Sequence, residues 1–151
     1  MDLDRPQFSA AQIAELAHVE IVTVHTWTTR GLANPYGDRD IKRGRGQARL
    51  YSLRDALRFY LMARFHQQFR LPLPAGIRIC QSVFSDSFST AKAAFLFLDT
   101  ARPGLVAPTW CKDIHAVEQR LAVKLVGTVL DVKEIVANVT KHAEILKNPK
   151  T

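Results

Sequence analysis

Residues 8–32 read FSAAQIAELAHVEIVTVHTWTTRGL, and two short periodicities inside that stretch decide how the N-terminal part of the chain folds. Phe8 followed by Ser9 supplies an apolar residue and then an N-cap hydroxyl. Ile13, Leu16 and Ala17 then recur at the i, i+3, i+4 spacing of a buried helix face. The pattern predicts a first helix over about residues 10–17. His18 and Val19 form a turn, and Glu20 stands where it caps the next helix and sets an anion at its positive end. Val24 and Trp27, three residues apart, pack a second helix, 21–29, back onto the first, and Gly31 ends it as a C′ glycine.

With Val24 and Trp27 inward, the opposite face of the second helix presents Thr23, His25, Thr26 and Thr29. These are short polar groups suited to hydrogen-bonding base edges or phosphates in a major groove. The next segment, 33–48, reads ANPYGDRDIKRGRGQA, with Gly37, Gly44 and Gly46 as turn makers and Arg39, Lys42, Arg43 and Arg45 as cations on its tip. Such a loop has the character of a basic wing over 37–49, with Arg49 to Tyr51 as its returning strand. Ser52 then caps a third helix, carried by Ala56, Leu57, Tyr60, Leu61, Arg64 and Phe65 to about residue 69. Two helices, a basic wing and a closing helix are expected to form a winged helix-turn-helix.

This stretch resembles the MerR-type winged helix-turn-helix shared by MerR regulators and phage excisionase-like proteins. The resemblance covers the first 70 residues and combines two motifs in order. Ala14 falls where the family keeps a small residue between helices, Thr23, Val24 and His25 fall on its recognition-helix triplet, and Arg30-Gly31-Leu32 match the exit from that helix. Arg49-Leu50-Tyr51-Ser52 matches its wing-to-helix signature, which implies a phosphate contact for the Arg and a packing role for the Tyr. The chain departs from the pattern at His18, where the family usually has glycine, so the turn demands a positive φ or an altered path. The wing is longer and more basic than the family norm. Thr26-Trp27 replaces the double-aromatic segment of MerR regulators, so only the DNA-reading module carries over.

Charge agrees with a phosphate-binding face. The chain carries 21 Lys and Arg against 14 Asp and Glu. Residues 30–70 contain ten of the bases and three of the acids, so the whole net charge of +7 is assigned to the wing and third helix. At 151 residues and 47% hydrophobic, the chain has the composition of a globular protein of one core or two small ones. No apolar run approaches the roughly 18 residues that span a bilayer. The N-terminus MDLDRPQ lacks the basic-then-apolar order of a signal peptide, so a cytoplasmic, nucleoid-associated protein is expected.

Beyond Leu71-Pro72-Leu73-Pro74-Ala75-Gly76, which breaks the third helix, the pattern changes. Ile77, Ile79, Cys80, Val83 and Phe84 predict a short helix, and the apolar run 93–98, AAFLFL, predicts a buried strand with a partner at 105–110. A helix over 112–121, a strand over 123–130 and a last helix capped by Asp131 complete the second part. Val132, Ile135, Val136, Val139, Ala143 and Leu146 form an apolar stripe on that last helix, while Lys133, Asn138, Lys141 and Glu144 face away. The stripe has two readings, packing on its own sheet or a dimer contact through Ile135, Val139 and Leu146. One recognition helix reads few base pairs, so dimerisation would double the site.

Catalysis is not expected: there is no P-loop, GxSxG or HExxH, and no nucleophile beside a recognisable base. Asp38 and Asp40 flank Arg39 in the wing and temper its charge. Cys111 and His115, at i, i+4, with Cys80 as the other thiol, form the one metal or redox constellation worth naming, but no CxxC or second nearby His supports it, so neither metal nor cofactor is expected. The expectation is an α+β protein: a winged helix-turn-helix over 1–70 and, over 71–151, a mixed α/β segment for dimerisation or sensing. Its partners are double-stranded DNA and a second copy of itself, not a membrane, and a protein partner such as RNA polymerase is left unassigned. The DNA contacts fall on Thr23, His25, Thr26, Thr29, Arg30, Arg39, Lys42, Arg43, Arg45 and Arg49. A transcriptional regulator is the first reading. An excisionase-like or architectural DNA-bending factor, or a protein-interaction module on a winged fold, are the alternatives.

Overall fold

The structure is a computed structural model and describes residues 2–32, 48–85, 88, 95–99, 107–124 and 127–148. Its elements run α1 (Ala10–Ala17), α2 (Ile21–Thr29), α3 (Leu53–Gln67), α4 (Leu73–Val83), β1 (Phe95–Asp99), β2 (Ala107–Cys111), α5 (Ile114–Lys124), β3 (Gly127–Asp131) and α6 (Val132–Lys147). The fold is α+β, helical in its N-terminal part.

Local chemistry explains the helix ends. Ser9 closes a reciprocal capping box with Gln12 at the start of α1, and Ser52 does the same with Asp55 at the start of α3. Asp131 accepts from the Glu134 amide to begin α6. Both helices of the N-terminal pair end in Schellman turns. At the first, the Val19 amide donates to Ala14 and that of His18 to Glu15; at the second, the Leu32 amide donates to Trp27 and that of Gly31 to Thr28. The left-handed residue is Gly31 at one turn (φ 68°) and His18 at the other (φ 53°). His18 therefore takes the positive φ that its departure from glycine demanded, and the turn keeps its usual path.

Two sequence expectations need correction here. Glu20 occupies the N-cap position of α2, but its side chain makes no capping bond; only its carbonyl accepts, from Thr23 and Val24. The helix after α3 begins at Leu73, inside the Pro-rich segment, because Pro74 fits a first helical turn whose amide has no partner to lose.

The sheet has the order β2-β1-β3, antiparallel throughout, with Leu96 opposite Trp110 on one side and Leu130 on the other. Alternation along β1 sends Leu96 and Leu98 into the main core, while Phe97 joins Cys111 and Val117 in a small second cluster beneath α5, with Phe95 packed at its edge. The main core is contiguous from Phe8 and Ile13 through Val24, Leu57 and Phe65 to Val132, Val139 and Ala143, so α6 packs on the helices that hold α2 in place. Among the described residues, no helix is long and apolar enough to cross a membrane.

Candidate nucleic-acid interface

The geometry of this site depends on how α2 is seated. Its inner side is Val24, Trp27 and Thr28, all buried. Trp27 stacks on Phe59 of α3, with ring centroids 5.8 Å apart and an interplanar angle of 14°, and Tyr51 meets the same Phe59 edge-on at 5.9 Å. Thr28 donates its one hydroxyl proton to the Val24 carbonyl at 2.8 Å. The 3.2 Å contact between Thr28 and the Tyr51 hydroxyl must therefore carry the tyrosine's proton. Tyr51 is fixed in turn by the backbone of Phe8, with which it pairs in a single antiparallel bridge. Rings and hydroxyls from three segments thus set the rotation of α2 about its axis.

That rotation decides what faces outward. His25, Thr29 and Arg30 are exposed, and Thr23 and Thr26 are half-buried. At about 100° per residue, the direction opposite Val24, Trp27 and Thr28 falls within about 20° of Val22 and within about 35° of Thr26 and Thr29. Thr23 and His25 lie on the flanks of that face. Thr29 donates to the His25 carbonyl at 2.7 Å, so its proton is turned back onto the helix and its oxygen is left as an acceptor. Val22 is 64% exposed, although an aliphatic residue beside Ile21 and Val24 reads as core in the sequence. The signal that finds it is angular: it lies opposite Val24 and Trp27 rather than beside them.

Arg49 is exposed on the irregular segment leading into Tyr51; the returning strand expected over Arg49 to Tyr51 is reduced to the single Phe8–Tyr51 bridge, because no second strand pairs with residues 48–50 among the described residues. Arg39, Lys42, Arg43 and Arg45 lie outside the described residues. The third helix is another matter, because Arg54 and Arg58, counted with the basic excess, are buried. Arg54 holds Asp4 in a two-pronged ion pair, Nε to Oδ1 at 2.6 Å and Nη2 to Oδ2 at 3.1 Å, and donates to the Ser85 carbonyl. Arg58 donates to the Phe84 carbonyl at 2.6 Å. Both cations bind α3 to its neighbours, so the positive face is smaller than the charge count implied.

The other singled-out residues do not join this face. Val139 is buried in the chain's own core, and Ile135 and Leu146 pack at its edge. Cys111 is buried under α5, whereas His115 is exposed beside Glu118 at 3.5 Å. Cys80 is buried, and that burial pushes its thiol far above the ordinary range, the nearby Arg58 charge opposing the shift only in part. Among the described residues, no three His, Cys, Asp or Glu side chains gather as a metal site.

Residues 8–82 match the family model described as MerR HTH family regulatory protein. No curated protein matches the chain.

Proposed function

The N-terminal part of this chain, residues 8–82, belongs to the MerR family of helix-turn-helix regulatory proteins, and from that premise we propose that the chain is a sequence-specific reader of double-stranded DNA and a transcriptional regulator. In this reading α2 enters the major groove with Thr23, His25 and Thr26 near base edges and with Thr29 and Arg30 toward the backbone. Arg39, Lys42, Arg43, Arg45 and Arg49 hold phosphates or enter the adjacent minor groove. Residues 71–151 act as the dimerisation or sensing module, and the protein works in the cytoplasm on the nucleoid.

The observation that carries this reading is the seating of α2. One side is locked by the Trp27–Phe59 stack and the Thr28–Tyr51 pair, and the other leaves Val22, His25 and Thr29 exposed with Thr23 and Thr26 half-buried, side chains short enough to fit a groove. Since Val139 serves the chain's own core, a second copy would meet only Ile135 and Leu146 of the α6 stripe, at the margin of that core.

Selection of binding sites from a random duplex pool, followed by footprinting at two salt concentrations, tests the proposal. An inverted repeat with half-sites about one helical turn apart is the expected result. Tandem direct sites would replace the regulator with an architectural, DNA-bending role, and a pool with no enriched sequence would refute sequence-specific reading.

A further inference from the structure

We propose that Val22 is a base-reading residue of this protein and that it reads the C5-methyl group of a thymine in the major groove. The inference rests on the reading of α2 as the recognition helix.

Three observations carry it. Val22 is the outermost residue of α2, closest to the direction opposite the buried Val24, Trp27 and Thr28, and is 64% exposed; Ile21 beside it is 45% exposed. A β-branched residue on a helix surface has low helix propensity, and with most of its surface exposed Val22 contributes little burial within the protomer, so a partner that covers its apolar surface gives it a role. The chemistry around it points the same way. Thr29, one of its two neighbours on the outward stripe, has its only proton committed to the His25 carbonyl, and the other, Thr26, is half-buried, so the group that projects furthest at the centre of the face is the Val22 isopropyl. An exposed isopropyl group offers nothing to guanine, whose groove edge presents two acceptors. It does match thymine, the one base whose major-groove edge carries a methyl group. His25, on the flank, keeps the polar capacity to fix register beside it.

The test pairs a deletion on the protein with a deletion on the DNA. In the duplex selected by the wild-type protein, each thymine is replaced in turn by deoxyuridine, which removes the methyl and nothing else. Binding is measured for wild type, Val22→Ala and Val22→Ile, with a scrambled duplex as reference. One thymine per half-site is expected to cost the wild type about fourfold in affinity when its methyl is removed, the worth of one buried methyl group. The same replacement costs Val22→Ala nothing and leaves the penalty in Val22→Ile, because isoleucine keeps an aliphatic tip. Val22 is exposed, so all three proteins should melt together. A methyl penalty of equal size in wild type and Val22→Ala, or none at any thymine, overturns the assignment while leaving DNA reading intact. Equal affinity of the wild type for selected and scrambled duplex instead overturns the recognition-helix reading itself.

Discussion

The hydrogen bond between Thr28 and Tyr51 gives the sharpest test of how α2 is held. Both side chains are buried, at 6% and 1% exposure. Because Thr28 gives its proton to the Val24 carbonyl, it can only accept from Tyr51. The two deletions are therefore unequal. Thr28→Val keeps the shape and removes the acceptor, stranding a buried phenol hydroxyl, at a cost of about 2 kcal/mol. Tyr51→Phe removes the donor and leaves Thr28 bonded to its own helix, so only the net worth of one bond is lost, about 1 kcal/mol. The double variant strands nothing and should cost about 1 kcal/mol, well short of the roughly 3 kcal/mol expected if the two losses added. Urea unfolding followed by far-ultraviolet circular dichroism reads these values. With a slope of about 2 kcal/mol per molar, the midpoint should fall by about 1 M for Thr28→Val and about 0.5 M for both the other variants. Additivity to within about 0.5 kcal/mol would refute the pairing and, with it, the account of what fixes the rotation of α2.

Three further outcomes follow from the packing. A Cβ on Gly127 would stand 2.2 Å from the Phe97 ring, so Gly127→Ala should lower stability by about 2 kcal/mol in the same unfolding assay, and an unchanged midpoint would show that the ring has room to move. Asp4→Asn weakens the ion pair to the buried Arg54, but Asp4 is 45% exposed, so the loss should be about 1–2 kcal/mol and the melting temperature should drop by about 3–6 °C; no change would mean that solvent replaces the carboxylate without penalty. The Cys80 thiol is raised by burial, so above about pH 8.5 the unfolded chain releases a proton that the folded chain keeps, and stability falls by up to about 1.4 kcal/mol per pH unit. Cys80→Ala should lose stability more slowly than wild type from pH 8.5 to 10, and parallel pH profiles would contradict the burial of that thiol.

Much of the helical frame was legible in the chain. Ser9, Ser52 and Asp131 act within three residues of themselves, and each begins the helix that its position predicted. The apolar spacing of α1, α2 and α6 likewise names the inward residues, because a helix face repeats over two turns of contiguous sequence. The run FLFL in β1 was readable as a buried strand. Which of its residues serve the main core and which serve α5 depends on pairing with β2 and β3, both further along the chain.

The candidate site was less legible, because residue type does not say where a side chain goes. Arg54 and Arg58 add to the basic excess of residues 30–70 but are buried, and a charge count registers only the residue type. Val22 belongs to the outward face, yet an aliphatic residue ordinarily signals core. Glu20 was expected to cap by its side chain, and only its backbone does so.

The sequence by itself determined where α1, α2, α3 and α6 begin and that α2 follows α1 through a tight turn. Those properties are set by interactions within a turn or two of helix, and neighbouring residues suffice to specify them. The tertiary structure alone decided which charges go inside and which apolar group stays out. Arg54 is buried because Asp4, fifty residues away, neutralises it, and Val22 is exposed because rings on Tyr51 and Phe59 fix the rotation of its helix. Burial depends on partners brought together by the whole chain, and no local rule contains them.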